Sequence, residues 1–234
     1  MNNWTAPQRP VDHAEQRLVT AILDKIFPSG STLPGERDLS AQLGVTRPTL
    51  REALRRLERD GWLTISQGKP TRVNNFWQEG GLNVLGSLLR YCRELPPNFV
   101  SNLLDVRLVL APAYVRLAVE NAPEKVVALL SEHFALPDTP AAFAAYDWKL
   151  HHALSIASGN PVYTLILNGF AGFYIETAIL YFADAAARAA SRNFYANLSA
   201  AAQQGNTAAA EQLTRDAMQQ SIILWKQDVN KTAN

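Results

Sequence analysis

The sequence predicts a mainly α-helical protein with an N-terminal winged helix-turn-helix, a small β-hairpin wing and a C-terminal all-α bundle of about seven helices. Two observations predict this fold. Residues 33–73 contain two short helical patterns joined at Gly44 and followed by two strand-like segments. Beyond Gly81 the chain has no convincing strand, and Pro- and Gly-rich breaks separate segments with helical periodicity.

The head of the chain opens with a predicted helix over Asp12–Phe27. Its apolar residues Leu18, Ile22, Leu23 and Ile26 recur at helical spacing and are expected to face inward. A turn follows at residues 28–31. A second helix is predicted over Glu36–Leu43, and Gly44 ends it.

The third predicted helix, from Thr46 to Asp60, has the features of a recognition helix. Thr46 is a natural N-cap, and Pro48 stands in the first turn, where a missing N–H costs nothing. A buried stripe is expected from Leu50, Ala53, Leu54 and Leu57. The stripe turns the helix N-terminus, with Thr46, Arg47, Thr49 and Arg51, away from the core. Arginines and hydroxyls at a helix N-terminus suit phosphate and base-edge contacts.

A hairpin wing is predicted after this helix, with strands at residues 62–65 and 71–73 and a tip of Gln67, Gly68, Lys69 and Pro70. A glycine at the tip allows a close approach to the DNA backbone or minor groove. The alternative is that the arginines of the third helix form only a solvated face. The coincidence of turn, N-cap, basic helix and basic wing tip favours binding to double-stranded DNA.

Composition and charge distribution fit this interpretation. The net charge is only +1, but residues 1–77 carry 11 Lys/Arg and 8 Asp/Glu, which makes the head mildly basic. The single cysteine, Cys92, excludes an intramolecular disulfide and predicts a reducing, cytoplasmic location. The N-terminus has no apolar signal region, and no stretch approaches ~18 apolar residues, so no membrane partner is expected.

The predicted domains are residues 1–77 for DNA binding, 78–82 for a linker and 83–234 for an all-helical domain. The helices of the last part are predicted at Leu82–Arg93, Asn98–Asn121, Pro123–Phe134, Pro140–Ser158, Pro161–Tyr181, Asp184–Gln204 and Thr207–Val229.

The segment LPGERDLSAQLGVTRPTLREALRRLERDGWL resembles the helix-turn-helix of the GntR superfamily of bacterial transcription factors. Further segments, among them GKPTRVNNFW, NLLDVR and ASGNPVYTLILNG, extend the resemblance over essentially the whole chain to the fatty-acid-responsive FadR subgroup. This resemblance implies a homodimer on a palindromic operator, released by a long-chain acyl-CoA effector. Such regulators typically repress fatty-acid degradation and can activate unsaturated fatty-acid synthesis.

Matching motifs imply which residues make contacts. DNA would be bound by Arg37, Thr46, Arg47, Thr49, Arg51, Gln67 and Gly68, and the wing-tip Lys69 adds a phosphate contact. The effector would be bound by Leu103, Arg107, Tyr181, Ser221 and Trp225. For each of these the alternative is a core residue or, for Arg107, a structural ion pair. The chain departs from the subgroup at Gln67, where histidine is usual, and at Met218, where the subgroup has glycine.

Broader relatives bind a divalent metal through one aspartate and three histidines. Asp147 and His151 match the first part of that pattern at i, i+4 spacing, but Tyr195 and Ser221 stand at the other positions. We therefore expect no metal and no cofactor, with Asp147 and His151 as a hydrogen-bonded pair.

No phosphate loop, nucleophile elbow or catalytic carboxylate pair is recognisable, so a regulator is expected rather than an enzyme. A GntR-type regulator that responds to a small metabolic carboxylate is the alternative. The missing histidines disfavour it, since that ligand mode usually uses the metal.

Overall fold

A computed structural model of the 234-residue chain describes residues 9–92 and 98–232. They divide into two compact units, with the division between residues 95 and 96. The described part of the chain is mainly helical with one small antiparallel sheet, which confirms the predicted fold class.

The first unit is a winged helix-turn-helix. Its helices and strands are α1 (Pro10–Leu23), α2 (Glu36–Leu43), α3 (Arg47–Arg59), β1 (Leu63–Thr64), β2 (Arg72–Val73), α4 (Phe76–Glu79) and α5 (Asn83–Tyr91). The strands pair Leu63 with Val73 and Thr64 with Arg72. Thr32 also bridges Arg72, so the segment before α2 adds a third partner to the wing, which the sequence did not predict.

The recognition helix α3 forms as predicted. The Thr46 side chain caps it by accepting a hydrogen bond from the Thr49 N–H at 3.3 Å. The predicted stripe is buried: Leu50, Ala53, Leu54 and Leu57 are each at most 3% exposed. Before it, Gly44 closes α2 in the left-handed conformation, with φ of 67°.

The opening helix differs from its prediction. Helix α1 begins at Pro10 and ends at Leu23 rather than at Phe27. Lys25 adopts a left-handed conformation with φ of 58°, which turns the chain out of the helix. Ile26 is 66% exposed as a result, so the expectation that it faces inward is wrong.

A close backbone contact joins the end of α3 to the segment before α5. Gly61 has φ of 89°, and a Cβ built on it would lie 2.7 Å from the Gly80 Cα. The Asp60 carbonyl accepts from the Gly81 N–H at 3.4 Å, and its carboxylate accepts from the Asn83 side-chain amide at 3.1 Å. The segment predicted as a linker is therefore packed against the recognition helix.

Helix α5 belongs to the first unit, where it packs against α1. The sequence placed this helix in the second domain, because its apolar pattern continues the helical series that follows. The domain boundaries at residues 77 and 82 remain predictions. The division between the two compact units lies further along the chain, between residues 95 and 96.

The second unit is an all-helical bundle. Its helices are α6 (Phe99–Asn121), α7 (Pro123–Ser131), α8 (Pro140–Ala157), α9 (Pro161–Tyr181), α10 (Ala185–Gln203) and α11 (Thr207–Thr232), with a 3₁₀ turn at Glu132–Ala135. Local sequence explains where several of them begin. Thr139, Asn160 and Asp184 cap α8, α9 and α10 by accepting backbone N–H bonds. The core lies between these helices and contains Tyr114, Phe143, Leu150, Tyr195 and Leu198, each fully buried.

No single helix among the described residues has both the length and the apolar character needed to cross a membrane. One bent pair, Pro161–Gly172 with Tyr174–Tyr181, meets that test by length and composition when its two parts are taken together.

A Gly61→Ala change should destabilise the protein by about 1–3 kcal/mol, because the new Cβ meets backbone atoms and the positive φ is strained. Urea unfolding followed by circular dichroism measures the change. Gly81→Ala is the matched control, since a Cβ there meets nothing within 4 Å. Equal stability of both variants would show that the contact between Gly61 and Gly80 is not tight.

Candidate functional site

The N-terminus of α3 and the wing tip form an exposed surface on the first unit. Thr46, Arg47 and Arg51 are exposed, and Thr49 is half-buried beside Thr46, with their hydroxyl oxygens 2.9 Å apart. At the wing, Gly68 has φ of 73°, and nothing lies within 4 Å of the position its Cβ would take. Its neighbours Gln67 and Lys69 are exposed, as is Arg37 on α2.

The arginines of α3 divide into structural and unengaged side chains. Arg56 holds α1 to α3 through Asp12 at 3.0 Å and also pairs with Glu52 at 2.6 Å. Arg51 Nε lies 2.7 Å from Glu36 Oε2, but both side chains are more than 40% exposed. Such a surface pair is worth at most about 1 kcal/mol, so Arg51 can exchange it for a phosphate or base. Within the described residues Arg47 has no ion pair.

The second unit contains an apolar pocket that is open to solvent, which we call the apolar cavity; the empty space in it and at its mouth is about 820 Å³. It lies between α6, α9 and α11, with one residue from α8. Its lining is Val100, Leu103, Leu104, Val106, Arg107, Leu110, Tyr114, His151, Leu167, Phe170, Tyr174, Thr177, Ala178, Tyr181, Phe182 and Trp225. A cavity with this predominantly apolar lining suits a small ligand with a large apolar part.

A second, more polar pocket, with about 680 Å³ of empty space in it and at its mouth, adjoins the first. The two share Arg107, Tyr181 and Phe182. The rest of the second cavity's wall includes Asp147, Ser191, Asn193, Asn197, Asp216, Met218, Gln220 and Ser221.

The structure gathers the predicted effector residues around these two cavities. Leu103 and Trp225 line the apolar cavity, and Ser221 lines the second. Ser221 is buried, and its hydroxyl donates to the Met218 carbonyl at 2.7 Å, so it already has a partner within α11. Met218 also lies on the second cavity, so its bulk narrows that cavity and not the apolar one.

A buried ion pair stands where the cavities meet. Arg107 Nη2 on α6 lies 2.6 Å from Asp147 Oδ2 on α8, and both side chains are largely buried. Two phenols complete the site. Tyr174 on α9 donates to Oδ2, and Tyr195 on α10 donates to Oδ1 at 3.1 Å. The alternative role considered for Arg107, a structural ion pair, is therefore present, although its partner is on another helix.

The pKa values in this cluster follow from burial and charge. Burial favours the neutral form of Asp147, but the charge of Arg107 and the hydrogen bonds from the two phenols hold the pKa of Asp147 below its usual 3.8. Burial raises the pKa values of Tyr174 and Tyr195 well above 10.0, which keeps both phenols protonated as donors. The cluster thus carries one positive and one negative charge.

The prediction that Asp147 and His151 form a hydrogen bond is wrong. His151 Nε2 lies 3.7 Å from Asp147 Oδ1, beyond hydrogen-bond distance. The Nδ1 atom of His151 instead pairs with the Tyr114 hydroxyl at 2.7 Å. The i, i+4 spacing correctly places the two side chains on one helix face. It could not predict the hydrogen bond to Tyr114, because a lone tyrosine in an apolar helix is usually a buried core residue.

These residues do not fit the metal site of the broader relatives. The Asp147 carboxylate already accepts hydrogen bonds from a guanidinium and two phenols, and His133 Nδ1–H donates to the Leu130 carbonyl instead of to this carboxylate. Among the described residues no group of three His, Cys, Asp or Glu side chains could hold a metal ion. The absence of a metal stays a prediction.

A winged helix-turn-helix joined to an all-helical unit with an internal cavity is the architecture of a two-domain transcription regulator. Residues 10–73 match the model of the bacterial regulatory proteins of the gntR family, and residues 74–233 match that of the FadR C-terminal domain. The chain therefore belongs to the GntR family and, within it, to the FadR group.

Curated relatives support this membership. The chain is 47% identical over 193 residues to the fatty acid metabolism regulator protein of Pectobacterium atrosepticum, covering 82% of this chain and 81% of the relative. It is 45% identical over 217 residues to that of Shewanella pealeana, covering 93% and 91%. The protein is a transcription regulator of fatty-acid metabolism, and its relatives are regulators and not enzymes.

A solved structure shares the fold. Lar of Listeria monocytogenes, described as controlling expression of the agr system, aligns with a TM-score of 0.62 at 15% identity. The alignment covers 95% of this chain and 98% of Lar.

An Arg107→Ala change should lower the free energy of unfolding by about 3–5 kcal/mol, because it leaves the Asp147 carboxylate buried without its cation. Urea unfolding followed by circular dichroism measures this loss. The double change Arg107→Leu with Asp147→Leu should cost less than Arg107→Ala alone. A single variant as stable as the wild type would contradict the structural role of the pair.

Elemental analysis of protein purified without chelator should find far less than one zinc or nickel per chain. Stoichiometric metal that a His151→Ala change abolishes would refute the prediction. Retention of metal by a His13→Ala variant is the control for nonspecific loss, since His13 lies in the first unit.

Proposed function

We propose that this regulator binds a palindromic operator as a homodimer and that a long-chain acyl-CoA, bound in the helical unit, releases it. The observation that carries the proposal is the apolar cavity, which is lined by four of the five residues expected to bind the effector. The curated relatives' name, fatty acid metabolism regulator, supports an acyl ligand for such a cavity.

DNA binding by this proposal uses the exposed surface of the first unit. Arg47 and Arg51 reach base edges or phosphates from the N-terminus of α3, and Thr46 and Thr49 add hydroxyl contacts. The wing tip at Gln67, Gly68 and Lys69 contacts the backbone or minor groove, and Arg37 adds a phosphate contact. One helix-turn-helix reads a short half-site, so a symmetric dimer doubles the sequence that is read. Binding to chromosomal operators puts the protein in the cytoplasm.

The effector is a small molecule and not a cofactor. Its acyl chain occupies the apolar cavity, beside Leu103, Tyr181 and Trp225. A small carboxylate is the weaker candidate. Arg107 is the sole cationic side chain among the described residues of the cavity wall, and Asp147 already neutralises it. A free carboxylate would therefore meet no unpaired positive charge there.

Release of DNA requires the ligand to bind the released state more tightly than the DNA-bound state. Burial of the acyl chain supplies the binding energy. Because Arg107 and Tyr174 lie on the wall of the apolar cavity, a chain entering it contacts residues that tie α6, α8 and α9 together. Those contacts give the ligand a means of favouring one helix arrangement.

Arg47→Ala should weaken operator binding by about 1–3 kcal/mol and relax sequence preference, because a base contact is lost. Lys69→Ala should weaken all sequences alike and reduce the salt slope by about one, as expected for a phosphate contact. Fluorescence anisotropy with operator and scrambled duplexes at several salt concentrations measures both effects.

Arg55→Ala is the control for charge on α3, since Arg55 is exposed but lies beyond the helix N-terminus. Its loss should leave the ratio of operator to scrambled affinity unchanged. If Arg47→Ala bound the operator with unchanged affinity, the assignment of α3 as the recognition helix would be wrong.

Potency of acyl-CoA in releasing operator DNA should rise with chain length by about 0.8 kcal/mol, or roughly fourfold, per methylene until the cavity is full. A titration of the preformed complex with acyl-CoAs of graded length measures this slope, with the matched free carboxylates as control. Insensitivity of release at every length would exclude acyl-CoA as the effector and leave the DNA-binding assignment intact.

A further inference from the structure

The wall of the apolar cavity contains one polar pair, and one nitrogen atom of this pair has no hydrogen-bond partner. His151 and Tyr114 both line the cavity, and both side chains are buried. The Tyr114 hydroxyl and His151 Nδ1 are 2.7 Å apart. The other ring nitrogen, His151 Nε2, is buried and has no hydrogen-bond partner. A buried nitrogen without a hydrogen-bond partner is unfavourable, so this atom indicates that a ligand group could supply the missing hydrogen bond.

The surroundings decide which form of the imidazole is present. Burial, followed by the charge of Arg107, lowers the pKa of His151 from 6.5 to about 3, so the ring is neutral at physiological pH. The Asp147 carboxylate, 3.7 Å from Nε2, favours the tautomer with the proton on Nε2. The Tyr114 hydroxyl then donates to Nδ1. Nε2–H is a donor that no described atom accepts.

An acceptor with spare capacity lies next to that donor. Asp147 Oδ2 already accepts from Arg107 and Tyr174, whereas Oδ1 accepts from Tyr195 at 3.1 Å. A carboxylate oxygen can accept two hydrogen bonds, so Oδ1 has room for another. An oxygen atom about 2.9 Å from both Nε2 and Oδ1 would bridge their 3.7 Å separation, and because Nε2 is fully buried, neighbouring side chains must move to admit it.

The chemistry of this gap selects one functional group. A hydroxyl accepts from Nε2–H through its oxygen and donates its own proton to Oδ1, so it satisfies both atoms. A carbonyl or ether oxygen satisfies only the donor. A carboxylate is repelled by Asp147, and a methylene group leaves both atoms unpaired.

We propose that the apolar cavity prefers acyl chains that carry a hydroxyl group, which binds between His151 Nε2 and Asp147 Oδ1. This inference rests on the proposed function, because it assumes that the cavity holds an acyl thioester. It adds the chemical class of the chain: a hydroxyacyl thioester in preference to the plain saturated chain of equal length.

Isothermal titration of the full chain with palmitoyl-CoA, β-hydroxypalmitoyl-CoA, ω-hydroxypalmitoyl-CoA and a mid-chain hydroxylated analogue tests the proposal. The position of the hydroxyl is varied because its depth along the chain decides whether it reaches His151. At least one hydroxylated chain should bind about five- to tenfold more tightly than palmitoyl-CoA, the effect of one added hydrogen bond to a partly charged site.

The variant Tyr114→Phe with His151→Phe should abolish this preference, measured within the variant as the ratio of its affinities for hydroxylated and plain chains. Replacing both partners leaves no orphaned group, so the variant is expected to fold. Leu104→Met, on the wall of the same cavity, is the control and should keep the preference. Operator binding by each variant reports whether its fold is intact.

The outcomes separate the two proposals. Equal affinity for palmitoyl-CoA and every hydroxylated chain would overturn the hydroxyl site and leave acyl-CoA binding standing. A preference that survives in the double variant would also overturn it, because the hydroxyl would then bind elsewhere. Failure of all four thioesters to bind would overturn the proposed function itself.

Discussion

The second unit depends on one buried charge, the carboxylate of Asp147. A carboxylate in an apolar interior is strongly unfavourable without a cation and hydrogen-bond donors. Here the partners come from three other helices: Arg107 from α6, Tyr174 from α9 and Tyr195 from α10. The requirement to satisfy this one group therefore fixes four helices at a common point, and both cavities open beside it.

Under the proposed function, this arrangement lets one unit hold a ligand and respond to it. The apolar wall supplies binding energy through burial, while the charged cluster supplies a geometry that tolerates little change. A chain that displaces Arg107 or Tyr174 disturbs the hydrogen bonds that join their helices to Asp147 on α8. In the first unit the recognition helix is held just as firmly, by its buried leucines and by the backbone contact of Gly61 with Gly80.

The sequence predicted what depends on local chemistry. Caps, prolines and apolar spacing located α3 and the helices of the second unit to within a few residues, because these signals act over one or two turns. Prediction from the sequence failed where contacts between distant segments determine the structure. The pairing of Thr32 with Arg72, the convergence of Tyr174 and Tyr195 on Asp147 and the contact of Tyr114 with His151 arise only from folding. A lone tyrosine carries no signal for such a role.

Blocking each cavity in turn tests most directly whether the apolar cavity is the effector site. Calorimetric titration with palmitoyl-CoA would compare Ala178→Phe, which fills the apolar cavity, with Ala190→Phe, which fills the second. The account predicts that Ala178→Phe loses palmitoyl-CoA binding but keeps operator binding, and that Ala190→Phe keeps both. Undiminished palmitoyl-CoA binding by Ala178→Phe, or its loss only in Ala190→Phe, would contradict the account.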